Sequence, residues 1–146
     1  TELSNKDNLR ALDKQNIGRE NYPKTDYITL KITDIEAADN LLKEIYTTNP
    51  LRAHIAANYL IEMKQAIIEA SRVLKRGRYF ILIAANNQVC GREFKTQEYL
   101  RKIAEDMGLK TVCRLVDDIK SYGLMTKRNK TASVITCEWV LILKKE

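Results

Sequence analysis

The chain has 146 residues, enough for one domain with a real core, and its 45% apolar and 30% charged residues match an ordinary globular fold. No apolar run approaches the roughly 18 residues of a membrane helix, the N-terminal stretch is too polar for a signal peptide, and three cysteines (Cys90, Cys113, Cys137) with a single histidine give neither a disulfide framework nor zinc-like spacing. The expectation is a cytoplasmic protein without membrane or metal, and its net charge of +6 favours an anionic partner, of which nucleic acid is the commonest.

Ser4-Asn5-Lys6-Asp7 is a plausible helix start, with Leu9 and Leu12 on one short helix that Gly18 stops. Tyr22-Pro23 reads as loop, and the alternation over Tyr27 to Ile32 predicts a short strand. Thr33-Asp34-Ile35-Glu36 has the capping-box pattern, followed by Ile35, Ala38, Leu41, Leu42 and Ile45 at helical spacing. Asn49-Pro50 marks a further start, a capping Asn before Pro at the first helical position. Ala56, Tyr59, Leu60, Met63, Ile67, Ala70 and Leu74 then form one stripe, predicting a helix to about Lys75 that Gly77 ends.

The period then changes. Tyr79 to Ala85 is an unbroken apolar run, predicting a strand covered on both faces as in a parallel sheet. Asn86 to Arg92 reads as loop, and Thr96 caps a helix with the stripe Leu100, Ile103, Ala104 and Met107, closed by Gly108. Thr111 to Val116 reads as a strand, Asp117 to Thr131 as a long basic loop, and Val134 to Leu143 as a final strand. The expected class is α/β: residues 1–50 a helical and loop segment, residues 51–146 an α/β domain of three strands with flanking helices, the last two strands an antiparallel hairpin. Three strands make a thin sheet, and too little chain is present to cover Tyr79 to Ala85 on both faces. A chain that opens on Thr1 rather than Met reads as part of something longer.

Several residues carry possible chemistry. Arg72, Lys75, Arg76 and Arg78 form one acid-free basic run, and Lys120, Lys127, Arg128 and Lys130 another. In the second, Lys120, Ser121, Tyr122, Lys127, Arg128, Asn129 and Lys130 combine cations, hydroxyl and amide groups with an aromatic ring, which suits phosphate contacts and base stacking. A solvated loop is the plainer reading. Asn86 and Asn87 fall at the carboxyl end of the predicted strand, where ligands of open α/β sheets lie; alternatively they bond their own backbone. His54 reads as a surface helix residue rather than a base. Glu138 either pairs with Arg114 across the hairpin or serves as an edge charge.

Arg72-Val73-Leu74-Lys75-Arg76-Gly77 before an apolar strand resembles a turn of S-adenosylmethionine-dependent methyltransferases. More widely, Ile17-Gly18-Arg19-Glu20, Arg52 to Met63, Arg72 to Asn87, Gly91 to Leu100 and Ser121 to Trp139 resemble the C-terminal part of prokaryotic DNA amino-methyltransferases, the adenine-N6 or cytosine-N4 class. The resemblance implies the C-terminal half of a Rossmann-like methyltransferase fold, ending in a fifth strand, a helix and two strands as a hairpin, and lying directly after the catalytic Pro-Pro-aromatic segment. It also places Arg19 near the site, although an exposed loop after the helix stop is an equal reading of Arg19 to Asn21. The implied partners are DNA and an upstream segment or subunit carrying the cofactor and Pro-Pro-aromatic motifs. The strand at Tyr79 to Ala85 would then have lost a neighbour, and is expected to pair with another copy as a homodimer or to be covered by residues 1–50.

The chain departs from the family where chemistry occurs. Adjacent prolines are absent, Pro23 and Pro50 standing far apart, and the five glycines include no Gly-x-Gly. No catalytic residue is carried over, and the cofactor-binding residues stay unknown. S-adenosylmethionine is expected in the full-length enzyme and not on this chain alone. A non-catalytic DNA-binding subunit or remnant, and a structural or oligomerisation module, stand as alternatives.

Overall fold

The computed structural model describes residues 6–120 and 134–146. Helix α1 spans Lys6–Asp13, and a 3₁₀ turn follows at Lys24–Tyr27. The expected strand over Tyr27 to Ile32 does not form. The Tyr46 hydroxyl donates to the backbone carbonyls of Tyr27 and Ile28, so a side chain occupies acceptors that a strand would pair. Ile28 and Ile32 point to solvent while Leu30 packs against the core.

Helix α2 is Glu36–Thr48 and α3 is Pro50–Val73. The capping box at Thr33 to Glu36 is displaced: it is Asp39, not Glu36, that reaches back, accepting both the Thr33 backbone N–H (2.9 Å) and the Thr33 hydroxyl (2.8 Å). The signal at Asn49-Pro50 acts as expected, the Asn49 side chain accepting from the Arg52 N–H at 3.1 Å. Gly77, at φ +74, makes the turn out of α3.

Strands β1 (Tyr79–Ala84), β4 (Leu109–Asp118) and β5 (Cys137–Lys145) form one sheet in the order β1-β5-β4. The sheet is antiparallel throughout, and this corrects the parallel reading of β1. The last strand enters between the other two. The two-face coverage is corrected with it: Phe80, Leu82 and Ala84 pack against the core, while Tyr79, Ile81 and Ile83 are 54%, 59% and 59% exposed. An apolar run reports only that a strand is apolar, and here the helices cover one face. The outer edge of β1 pairs with no strand among the described residues.

The expected hairpin of the last two strands is present, longer at β4 and shifted toward the C-terminus at β5. The expected loop at Asn86 to Arg92 instead contains a hairpin, β2 (Asn87–Val89) with β3 (Arg92–Phe94). Its two turn residues, Cys90 (φ 52) and Gly91 (φ 76), both take positive φ, as a two-residue turn matching strand twist requires.

Helix α4 (Thr96–Asp106) packs on α3 and is fastened to the sheet by charge. Arg101 bonds Glu98 and Glu105 at 2.9 Å, and Thr111 donates to Glu105 at 2.6 Å. Arg114 pairs with Glu98 and lies 4.7 Å over the Trp139 ring, not with Glu138, because its cross-strand neighbour is Leu141.

One apolar core joins these layers, with Leu42 and Ile45 from α2, Leu60 and Ile67 from α3, Leu100 from α4, and Leu109, Leu141 and Leu143 from the sheet all fully buried. Each such side chain contributes about 1.5–3 kcal/mol on burial. The core therefore crosses residue 50 without interruption. No described helix is long and apolar enough to cross a membrane.

Candidate functional site

The far end of the sheet brings together three of the sequence-predicted site residues, Asn86, Asn87 and Lys120. Ala84, the last residue of β1, pairs with Trp139, which pairs in turn with Val116 near the end of β4. The Ile119 N–H to Thr136 carbonyl bond (3.0 Å) extends that stem by one step. Asn86, Asn87 and Lys120 thus emerge at the same end, across a width of roughly 10 Å for two strand spacings. Lys120 is exposed at the root of the basic connection. Ser121, Tyr122, Lys127, Arg128, Asn129 and Lys130 lie outside the described residues.

The two asparagines are engaged locally. Asn86 donates to Glu93 (3.2 Å) and accepts the Gln97 N–H (3.4 Å), tying the end of β1 to the first turn of α4. The Asn87 side chain accepts the N–H of Gln88 at 2.8 Å. A shallow groove of about 410 Å³ adjoins α4, walled by Glu93, Lys95, Glu98, Tyr99, Arg101 and Lys102. Arg101 and Lys102 are already paired with helix carboxylates, so the groove has few free anchors.

Arg19 belongs to a different cluster, on α3. Its guanidinium donates to the Lys14 carbonyl (2.6 Å) and to Glu62 (3.0 Å), and lies 4.8 Å over the Tyr22 ring. Asn58 is the hub: its amide NH₂ donates to the Tyr22 hydroxyl (2.6 Å) and Glu62 (2.7 Å), and its carbonyl accepts from Lys31 (2.8 Å). Arg52 pairs with Glu20 at 2.9 Å on the flank. Together these contacts fasten the segment from Arg19 to Lys31 along α3.

His54 closes the cluster and corrects its reading as a surface residue: it is fully buried. Tyr22 meets its ring edge-on at 4.6 Å, and Tyr27 lies 6.3 Å away. Neither ring nitrogen has a hydrogen-bond partner among the described residues. Burial first, and then Lys31 and Arg19, favour the neutral imidazole and hold it below its usual pKa, despite the opposing pull of Asp26. Burial likewise pushes the Tyr22 phenol up, Arg19 opposing. The sequence did carry a signal for this cluster: His54, Asn58 and Glu62 stand four residues apart, which is one helix face.

Among the described residues no glycine makes the strand-to-helix turn of a nucleotide-binding site. Nucleotide-binding glycine turns lead from a strand into a helix. Gly77 and Gly108 lead from a helix into a strand, Gly91 turns a hairpin, and Gly18 follows α1. Among the described residues no group of His, Cys, Asp and Glu is arranged to hold a metal.

No protein-family model matches the chain, and no curated protein matches its sequence. A solved structure from Thermus thermophilus, assigned there only provisionally as a DNA modification methylase, is similar to 77% of this chain at 15% identity, with a TM-score of 0.39. The match covers 40% of that chain, so this chain spans less than half its length. A likeness at that level fixes no activity.

Proposed function

We propose that this chain is the C-terminal portion of a site-specific DNA methyltransferase, transferring a methyl group from S-adenosylmethionine to an exocyclic amino group of adenine or cytosine. The observation that carries the reading is β1. Among the described residues it has one neighbour, one unpaired edge and one exposed apolar face, as a strand taken from a larger sheet would. The order of β1, α4 and then the β4–β5 hairpin agrees with the closing elements that the resemblance implies. The missing neighbour would carry the Pro-Pro-aromatic motif.

On this reading the division of labour is plain. An upstream segment or subunit holds the methyl donor and the target base, which must leave the duplex to be reached. This chain supplies the closing strands, and at their far end the basic connection from Lys120 to Lys130 contacts DNA phosphates. Asn86 and Asn87 shape the edge beside it. Arg19 and its partners on α3 hold the segment that follows the catalytic motif. No chemical step is assigned to a residue present here.

The test is methyl transfer by this chain joined to the segment that precedes it in its gene, with radiolabelled S-adenosylmethionine and mixed-sequence DNA. Label on the amino nitrogen of adenine or cytosine is the expected result. DNA that stays unlabelled, with the protein folded, overturns the proposal.

A further inference from the structure

The first basic run, Arg72 to Arg78, has no part in the function proposed above. The fold places it at the opposite end of the sheet from Asn86 and Lys120, about 20 Å away along the six residues of β1. There it meets other cations. Gly77 N–H bonds the Lys145 carbonyl (2.7 Å), and the Lys145 N–H bonds the Arg78 carbonyl (3.0 Å), which locks the basic turn against the end of β5. In the next rung Tyr79, Lys144 and Lys110 lie side by side on three strands.

Some of this charge has a structural use. Lys145 donates to the Ser71 carbonyl at the end of α3, Arg72 pairs with Glu69 (2.8 Å), and Lys110 with Glu146 (3.2 Å). Lys75, Arg76, Arg78 and Lys144 form no ion pair among the described residues. The helix dipole does not account for all of them, because its pull on cations fades beyond the last turn. The placement also has a cost: Lys110 and Lys144 are directly opposite, and like charges across a ladder destabilise it. Cations gathered against their own repulsion, on a turn fixed by backbone bonds, make a preformed anion-binding surface.

We propose that this end of the sheet is a second nucleic-acid contact, gripping the phosphate backbone without reading sequence. The residues concerned are Lys75, Arg76, Arg78 and Lys144, with the half-exposed Tyr79 beside them. Lys and Arg position a protein on phosphates and can also read guanine, but adenine and cytosine edges are read by amide and acidic groups. The stretches 72–79, 109–110 and 144–145 contain no Asn, Gln, Asp or Glu. The choice of nucleic acid over another polyanion rests on the DNA reading given above.

The experiment compares the full chain with a variant carrying Lys75→Gln, Arg76→Gln and Arg78→Gln, binding a random-sequence duplex across a salt series by fluorescence anisotropy. Each phosphate contact contributes about 0.9 to the slope of log K against log salt, so losing three should make it shallower by about 2.7. Lys144→Gln, in β5 rather than in the turn, should shift it in the same direction by about 0.9. Affinity and slope unchanged in both variants overturn the proposal, as does unchanged DNA binding with lost capture by anionic lipid vesicles. A further variant, Lys127→Gln, Arg128→Gln and Lys130→Gln, keeps the two ends apart: if it weakens DNA binding while the patch variants do not, only the second contact fails.

Discussion

Asn58→Ala should loosen the N-terminal segment from α3. The side chain is buried and makes three hydrogen bonds: to a neutral phenol (Tyr22, 2.6 Å), to a carboxylate (Glu62, 2.7 Å) and from an ammonium (Lys31, 2.8 Å). A neutral bond contributes about 1 kcal/mol net and one to a charged group about 1.5–3 kcal/mol. Lys31 is exposed and regains water when its partner is lost, so its bond counts for least. The expected loss is about 3 kcal/mol, or roughly 10 °C in unfolding temperature for a chain of this size. Urea unfolding measures the free energy, and limited proteolysis between residues 17 and 32 should accelerate in parallel. A cycle with Tyr22→Phe should show coupling of at least about 0.5 kcal/mol, since the two side chains share one bond. A loss below about 1 kcal/mol, or strict additivity with Tyr22→Phe, would refute the role of Asn58 as the hub.

Two predictions concern pH. His54 has a folded pKa below its ordinary 6.5, so the unfolded chain binds the proton first, and stability should fall as pH drops below about 6.5. His54→Phe keeps a ring against Tyr22 and removes no hydrogen bond among the described residues, so it should flatten this limb of the stability curve; an unchanged slope would show that another group titrates there. Glu98 is held below its ordinary 4.5, chiefly by the hydrogen bond from Arg101, with burial opposing. Its contribution is present above about 4.5 and lost as pH falls through the folded value, so Glu98→Gln should flatten that lower limb in acid titration followed by circular dichroism.

The helices were legible where the sequence stated both ends. Asn49-Pro50 and the turn before Gly77 bracket α3, because caps act through local backbone groups. Gly108 closes α4, whereas Thr96 is its first residue rather than its cap and donates to the Phe94 carbonyl. The sheet was less so. Ile81 and Ile83 are as apolar as Phe80 and Leu82, and nothing local distinguishes a face packed on helices from one left bare. That β5 enters between β1 and β4 is a long-range fact, with no signature in any one segment. Cys90 concealed the small hairpin, since a non-glycine residue rarely takes positive φ. The Arg19–Asn58 cluster was half legible: the four-residue spacing on α3 was readable, but the burial of His54 depends on Tyr22 and Tyr27 folding back from more than 25 positions upstream. Of the candidate site, Asn86 and Lys120 were placed correctly relative to strand ends because strand ends follow the turns, whereas their bonding partners depend on α4 packing.

The proposal that a methyltransferase is divided between this chain and an upstream segment or subunit is tested most directly by isothermal titration with S-adenosylmethionine. The chain alone should give no binding heat, while the same chain joined to its preceding segment should bind the cofactor at a single site. Tight uptake by the chain alone would contradict the division, and so would a joined protein that folds yet takes up none.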